Sequence, residues 1–159
     1  QQYLSALNFD DSLEFAKAGL TRARARADLD AKLDGLISNP NLLFNDGILK
    51  DAIILLKDAR GMDDRGPRLN GQVAELDRLV LLASTPINVE LHSDGLTDVT
   101  LYRVGALGSF TNHRMQLRPG PYTAVGTRDG YRDVRVVFEV LPATSTLGPI
   151  EVSCVERIN

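Results

Sequence analysis

The two histidines of this sequence are its best candidates for metal or acid–base chemistry. His92 and His113 lie far apart in the chain, and Glu90 or Asp94 could supply a third ligand beside His92. Zinc sites usually have their ligands at tighter local spacing than this. We therefore expect two solvent-facing histidines at strand edges, and we predict no metal site and no bound cofactor.

Cys154 is the only cysteine of the chain. A lone cysteine within a strand pattern is usually a small buried hydrophobic residue. A reactive thiol would need a cationic or histidine neighbour, and neither histidine adjoins Cys154 in the sequence. The sequence also lacks the G-x-S-x-G turn that exposes the serine of many hydrolases. We predict no catalytic residue, and we expect that the protein is not an enzyme.

Arginine and tyrosine residues are concentrated in the stretch from Leu117 to Val140. Within YRDVRVVFEV, alternate residues of a strand would point to opposite faces. One set is mostly apolar and is predicted to face the core: Arg132, Val134, Val136, Phe138 and Val140. Arginine and tyrosine are enriched in interaction hot spots, and the other set contains both. We predict a candidate interaction face of Tyr131, Asp133 and Arg135, with plain exposed surface as the alternative that the sequence leaves open.

The charge balance of the chain disfavours nucleic acid as a partner. There are 18 lysines and arginines against 21 acidic residues, which gives a net charge of −3. The most basic stretch, TRARARAD, is followed at once by further aspartates. On a helix, Arg24 with Asp28 and Arg26 with Asp30 would form ion pairs along a solvated face. We therefore predict no nucleic-acid partner.

The elements that hold these residues change type near residue 85. Before it, apolar residues recur every three or four positions, and the pattern predicts three helices joined by short loops as antiparallel neighbours. The first helix is expected over about 9–37, and Asn45 or Asp46 is expected to cap the second. The third helix is predicted to bury one face: Leu69, Val73, Leu76, Val80 and Ala83. The second is expected to be the most buried, with a wide apolar face: Ile48, Ala52, Ile53, Ile54, Leu55, Leu56 and Ala59.

After residue 85, apolar residues alternate, and turn-forming residues separate short segments. Six strands are predicted: Ile87–His92, Asp98–Val104, Arg114–Arg118, Tyr122–Thr127, Tyr131–Val140 and Ile150–Val155. Short strands in this number favour a small all-β sandwich of the immunoglobulin-like kind. The predicted fold class is α+β, with a helical region over 1–84 and a β-sandwich over 85–159.

The second half also carries the turn pattern of a known family. Leu117, Pro119, Gly120 and Tyr122 form an L-x-P-G-x-Y motif, and Gly130 with Tyr131 follows as a G-Y pair. This part of the chain resembles the PEGA domain, a small β-sandwich module, although DGLTDV replaces the tetrapeptide that names the family. The helical half is similar to tetratricopeptide-type hairpins, without their 34-residue repeat. PEGA-like modules are generally non-enzymatic and occur in bacterial envelope proteins or beside signalling domains.

The resemblance implies an interaction or scaffolding region of a bacterial cell-envelope protein. We expect it to be periplasmic and to bind a partner protein or a cell-wall polymer, with the helices as a spacer or as the contact of a homodimer. The sequence contains no run of about 18 apolar residues, so it predicts no transmembrane helix. We therefore expect any membrane anchor to lie upstream. An enzyme with a dispersed site, such as a hydrolase, is one alternative, and two others remain. One is a cytoplasmic accessory domain of a kinase-associated signalling protein. The other is a carbohydrate-binding sandwich, with Tyr102, Tyr122 and Tyr131 as its aromatic candidates.

Overall fold

The computed structural model describes residues 14–62, 65–142 and 146–158. Within these residues, three α-helices come first: α1 (Glu14–Ser38), α2 (Asp46–Arg60) and α3 (Pro67–Ser84), with a short 3₁₀ helix (Pro40–Phe44) between α1 and α2. Seven strands in two sheets follow, so the predicted α+β class, three helices and then a small sandwich, is confirmed. The predicted start of the first helix, before residue 14, lies outside the described residues.

Helix α2 begins with a side-chain cap. Asn45 Oδ1 accepts hydrogen bonds from the backbone N–H groups of Gly47 (2.9 Å) and Ile48 (3.2 Å). These two N–H groups have no partner within the helix, so the cap satisfies them. Asn45 is therefore the N-cap, as one of the two sequence alternatives predicted, and Asp46 is the first helical residue.

The three helices enclose one apolar core. Its buried residues are Leu29, Leu33, Leu43, Leu49, Ala52, Leu56, Ala59, Leu69, Val73, Leu76, Val80 and Ala83. All five predicted core residues of α3 are among them, because their spacing keeps them on one side of a 3.6-residue helix. In α1, Leu29 and Leu33 are buried, whereas Ala23 and Ala27 are exposed.

The wide apolar face predicted for α2 is wrong at two positions. The buried residues of α2 are Leu49, Ala52, Leu56 and Ala59. Ile53 and Ile54 remain 48% and 58% exposed. The neighbouring helices cover one side of α2, and these two isoleucines lie outside that side. Helix α2 is therefore not the most buried helix, and it leaves apolar surface open.

The strands form a sandwich of a three-stranded and a four-stranded sheet, in the orders β4-β1-β7 and β3-β2-β5-β6. Their bounds are β1 (Ile87–His92), β2 (Asp98–Leu101), β3 (Gly105–Ser109), β4 (Asn112–Leu117), β5 (Gly120–Thr127), β6 (Val134–Val140) and β7 (Thr146–Glu151). All pairings are antiparallel except β1 with β7, which is parallel. Strand β3 was not predicted, because its sequence GALGS is rich in glycine and short of strand-forming residues.

The sandwich encloses a second apolar core between its sheets. Its buried residues are Ile87, Val89, Leu91, Val99, Leu101, Leu117, Tyr122, Ala124, Val140 and Val152. The partly buried Val134, Val136 and Phe138 pack against it, which confirms the core face predicted for β6. Cys154 is buried, as expected, with Sγ 3.2 Å from the carbonyl oxygen of Gly126.

The helical region and the sandwich meet at a polar joint around Asp46. Arg103 donates from Nη2 to Asp46 Oδ1 and to the carbonyl oxygen of Phe44, both at 3.1 Å. Arg118 forms a second ion pair with the same carboxylate. The guanidinium of Arg103 also lies 5.1 Å from the ring centre of Tyr122. These contacts join the start of α2 to the start of β5.

Candidate interaction surface

The candidate face Tyr131, Asp133 and Arg135 divides into two parts in the structure. Asp133 is exposed just before strand β6, and Arg135 is exposed on the strand. Tyr131 precedes the strand. Its N–H donates to the carbonyl oxygen of Arg128 (3.0 Å), and its backbone forms an isolated bridge with Arg157. The sequence alternation predicted one continuous face, but the turn before β6 takes Tyr131 out of the strand.

Arg128 organises the turn that holds Tyr131. Its guanidinium lies 4.0 Å from the centre of the Tyr131 ring, and its Nη1 donates to Asp94 Oδ2 at 2.9 Å. Asp94 Oδ1 accepts from the N–H groups of Leu96 and Thr97. The Leu96 N–H contributes most to holding the pKa of Asp94 below its ordinary value. Arg128 therefore links the Tyr131 ring to the loop after β1, a connection between remote segments that the sequence does not signal.

The outward side of β6 is a short row of exposed side chains. Arg135, Val137 and Glu139 alternate with the core-facing residues, and Val137 is 67% exposed. Among the described residues, neither charged side chain of this row has an ion-pair or hydrogen-bond partner. We name Arg135, Val137 and Glu139 the β6 row. It combines an apolar centre with two free charges of opposite sign, a combination suited to contact with another molecule.

A second polar cluster lies on the outer side of the three-stranded sheet. His92 Nε2 is 3.0 Å from Glu90 Oε1, Asn112 donates to the same oxygen at 2.6 Å, and Arg114 Nη2 lies 3.4 Å from it. These contacts, that of His92 first, lower the pKa of Glu90 to about 2. Strand pairing creates the cluster, because β1 and β4 place His92 opposite Asn112 and Glu90 opposite Arg114.

Glu90 should make the stability of the sandwich depend on pH in the acidic range. Its pKa is depressed in the folded chain, so its contribution is present above its ordinary pKa of 4.5 and is lost as the pH falls towards about 2. We expect Glu90→Gln to be less stable than the wild type at about pH 7, with the gap closing near about pH 2. Urea unfolding midpoints at several pH values measure this. The exposed Asp98→Asn is the control, and a gap that stays constant with pH would contradict the role of Glu90.

The two histidines do not approach each other. His113 pairs with Leu91 and lies against Phe110, with ring centres 5.2 Å apart, whereas His92 pairs with Asn112. Neighbouring strand positions point to opposite faces, so the two imidazoles are separated by the sheet. Within residues 14–62, 65–142 and 146–158, no three His, Cys, Asp or Glu side chains are grouped to hold a metal ion.

The three tyrosines considered for a carbohydrate platform lie in different environments. Tyr122 is buried, stacks on Phe138 with ring centres 5.8 Å apart, and donates from its hydroxyl to the carbonyl oxygen of Arg118. Burial is the main cause that raises the pKa of Tyr122. Tyr102 is exposed and Tyr131 is held by Arg128. Tyr122 therefore belongs to the core and not to an exposed aromatic surface.

The described part of the helical region has an open apolar groove. It lies between the end of α1, the 3₁₀ helix and α2, and its apolar walls include Leu36, Leu42, Ile48, Ile54 and Leu55. Charged residues, among them Lys32 and Asp58, stand at its rim. Within α1, the predicted pair of Arg26 with Asp30 forms at 3.3 Å between half-buried side chains.

No family model matches this chain, and no curated protein matches it either. The resemblance to the PEGA domain therefore remains a prediction from the turn motifs. None of the helices in the described part of the chain is long and apolar enough to cross a membrane.

Proposed function

We propose that this chain is a non-enzymatic interaction region of a bacterial cell-envelope protein. It binds a partner protein or a cell-wall polymer through the outer face of its four-stranded sheet, at the β6 row. The observation that carries the proposal is the β6 row: an exposed valine between an arginine and a glutamate that have no partner within the described chain.

The surroundings of the β6 row support this role. Asp133 lies just before it and is also exposed. Strand β6 is paired along its whole length with β5, so the side chains of the row stand on an ordered backbone. A surface that is already ordered loses little conformational entropy on binding. An apolar centre with charges on either side also matches the composition of contact surfaces, in which the centre excludes water and the charges select the partner.

The proposed compartment is the periplasm, and it rests on the resemblance of the turn motifs to the PEGA domain. In this arrangement the helical region acts as a spacer. The joint at Asp46, Arg103 and Arg118 holds the sandwich to the start of α2, so a partner bound at β6 would be presented in a defined direction.

The β6 row can be tested by partner capture. The immobilised wild-type chain is exposed to envelope extract and to purified cell-wall sacculi, beside a variant with Arg135→Glu and Val137→Glu. We expect the variant to lose about tenfold or more of the captured material, because both the charge and the apolar centre change.

The matched control is Arg22→Glu, the same charge reversal at an exposed position of α1. It should capture the same material as the wild type, and circular dichroism confirms that all three proteins are folded. Equal capture by the wild type and the β6 variant would show that this row is not the binding surface.

A further inference from the structure

Strand β6 is the last strand of its sheet, and its hydrogen-bonding direction follows from its neighbours. The N–H of Tyr102 donates to the carbonyl oxygen of Thr123 at 2.9 Å, so Thr123 directs its backbone groups towards β2. Backbone groups alternate between the two sides of a strand. Pro121 belongs to the same set of alternate β5 residues as Thr123. This agrees with the chemistry of proline, which has no N–H to donate towards β6. The intervening residues of β5, such as Tyr122 and Ala124, therefore bond to β6.

The same alternation fixes the free side of β6. Tyr122 and Ala124 stand opposite Phe138 and Val136, so these residues of β6 use their N–H and C=O groups on β5. Arg135, Val137 and Glu139 therefore direct their backbone groups away from β5. No described strand pairs with that side, because β6 ends the order β3-β2-β5-β6. The β6 row thus coincides with an open row of backbone donors and acceptors, which is a template for another strand.

The sequence of β6, VRVVFEV, is self-complementary about its central residue, Val137. Arg135 lies two positions before this valine and Glu139 two positions after it. When two copies of β6 run antiparallel with Val137 opposite Val137, Arg135 of each copy stands opposite Glu139 of the other. Each opposite pair on the outer face then joins unlike charges or two valines, and opposite charges across strands are stabilising.

We propose that a second copy of this chain pairs with β6 and extends the four-stranded sheet into a continuous eight-stranded sheet across a two-fold axis at Val137. Three residues of each copy present their backbone groups to the other, which forms about six N–H···O bonds. The contact is self-complementary, as a two-fold dimer requires. It differs from a dimer through the helices, which the sequence alone suggested.

The charges also select this register over its neighbours. A shift that centres the pairing on Arg135 would place the two arginines opposite each other, and one centred on Glu139 would oppose the two glutamates. Like charges directly opposite are destabilising. Sliding one strand by a single residue would place core-facing positions opposite outward-facing ones. Sliding it by two residues centres the pairing on Val136 or Phe138, which keeps the faces but places Arg135 or Glu139 opposite Val137 and forms no Arg–Glu pair. Pairing at Val137 satisfies both the charges and the faces.

Self-association is separate from the partner binding proposed above, because it needs only the purified chain. The test is sedimentation equilibrium of the full 159-residue chain between about 10 µM and 1 mM, a range suited to a small contact. We expect a monomer–dimer equilibrium that weakens with added salt. A chain that stays monomeric throughout this range overturns the proposal.

Charge-reversal variants identify the contact. Arg135→Glu and Glu139→Arg should each weaken the dimer by about tenfold, since each places like charges opposite one another at both symmetric positions. The double variant carrying both changes restores unlike pairs and should return to within about threefold of the wild type. Arg22→Glu, remote on α1, should leave the dimer unchanged.

A dimer that is unaffected by the single reversals, or that the double variant does not restore, places the contact elsewhere and overturns the proposal. The double variant also separates the two ideas, because it should dimerise while presenting an altered outer face to any other partner. Loss of partner capture with an intact dimer would support both proposals. Intact capture with no dimer would leave the proposed function standing without the self-association.

Discussion

Replacing Gly148 by alanine is expected to lower the free energy of unfolding of the sandwich by about 3–5 kcal/mol. Two costs combine at this position. Gly148 has φ +139°, a conformation that side-chain-bearing residues rarely adopt, and a Cβ atom would lie 2.6 Å from the backbone carbonyl oxygen of Glu90. That oxygen belongs to β1 in the centre of its sheet, so it cannot move without disturbing strand pairing on both sides.

Gly105 provides a matched control for this prediction. Its φ of +134° is nearly the same, but a Cβ atom there would meet nothing within 4 Å. Gly105→Ala should therefore show the backbone cost alone, about 1–3 kcal/mol. Urea unfolding followed by tyrosine fluorescence measures both variants, since Tyr102, Tyr122 and Tyr131 all lie in the sandwich. Equal losses in the two variants would contradict the predicted collision with Glu90.

The tight approach at Gly148 follows from an irregularity between β1 and β7. Val89 pairs with Leu147 and Leu91 pairs with Ile150, so Gly148 and Pro149 together stand opposite the single residue Glu90. A bulge of this kind brings one backbone close to another. Glycine is the residue that allows the approach, because it has no Cβ.

Leu76→Ala is expected to lower the free energy of unfolding of the helical region by about 2–5 kcal/mol. The Leu76 side chain is 0% exposed and lies in the core shared by the three helices. Truncation removes apolar contacts and leaves a cavity that the surrounding helices can fill only in part. Far-ultraviolet circular dichroism during urea unfolding follows the helices and measures the loss.

Leu81 on the same helix is the natural comparison, because its side chain is 67% exposed. Leu81→Ala should change stability by no more than about 0.5 kcal/mol. The two substitutions have the same chemistry and similar helix propensity, so their difference isolates burial. A similar loss in both variants would show that α3 does not bury the predicted face.

Local patterns predicted much of the fold because they act within single elements. The spacing from Leu69 to Ala83 indicated the buried face of α3, and alternation indicated the core side of β6. The first strand was predicted with its observed bounds, Ile87–His92. The same reasoning failed at β3. This glycine-rich segment forms a strand because β2 offers it backbone hydrogen bonds, and its own residues do not signal that pairing.

Alternation predicted only in part where the residues of the candidate face lie on the fold. Alternation placed Arg135 on the outward side of β6, and it is exposed there. It also extended the strand to Tyr131, which in the structure leaves the strand and packs under Arg128. Val137 and Glu139 belong to the same alternate set, but only the sheet order shows that they border an open edge.

The sequence by itself determined the class of this protein: helices in the first half, strands in the second, and which side of α3 and β6 is buried. These properties follow from hydrophobic periodicity, which depends on residues a few positions apart. Tertiary structure alone decided the parallel pairing of β1 with β7, the joint at Asp46 and the open edge at Arg135, Val137 and Glu139. Those features depend on which remote segments become neighbours. Folding brings together backbone groups and charges that lie far apart in the sequence, and no local pattern predicts which of them will meet.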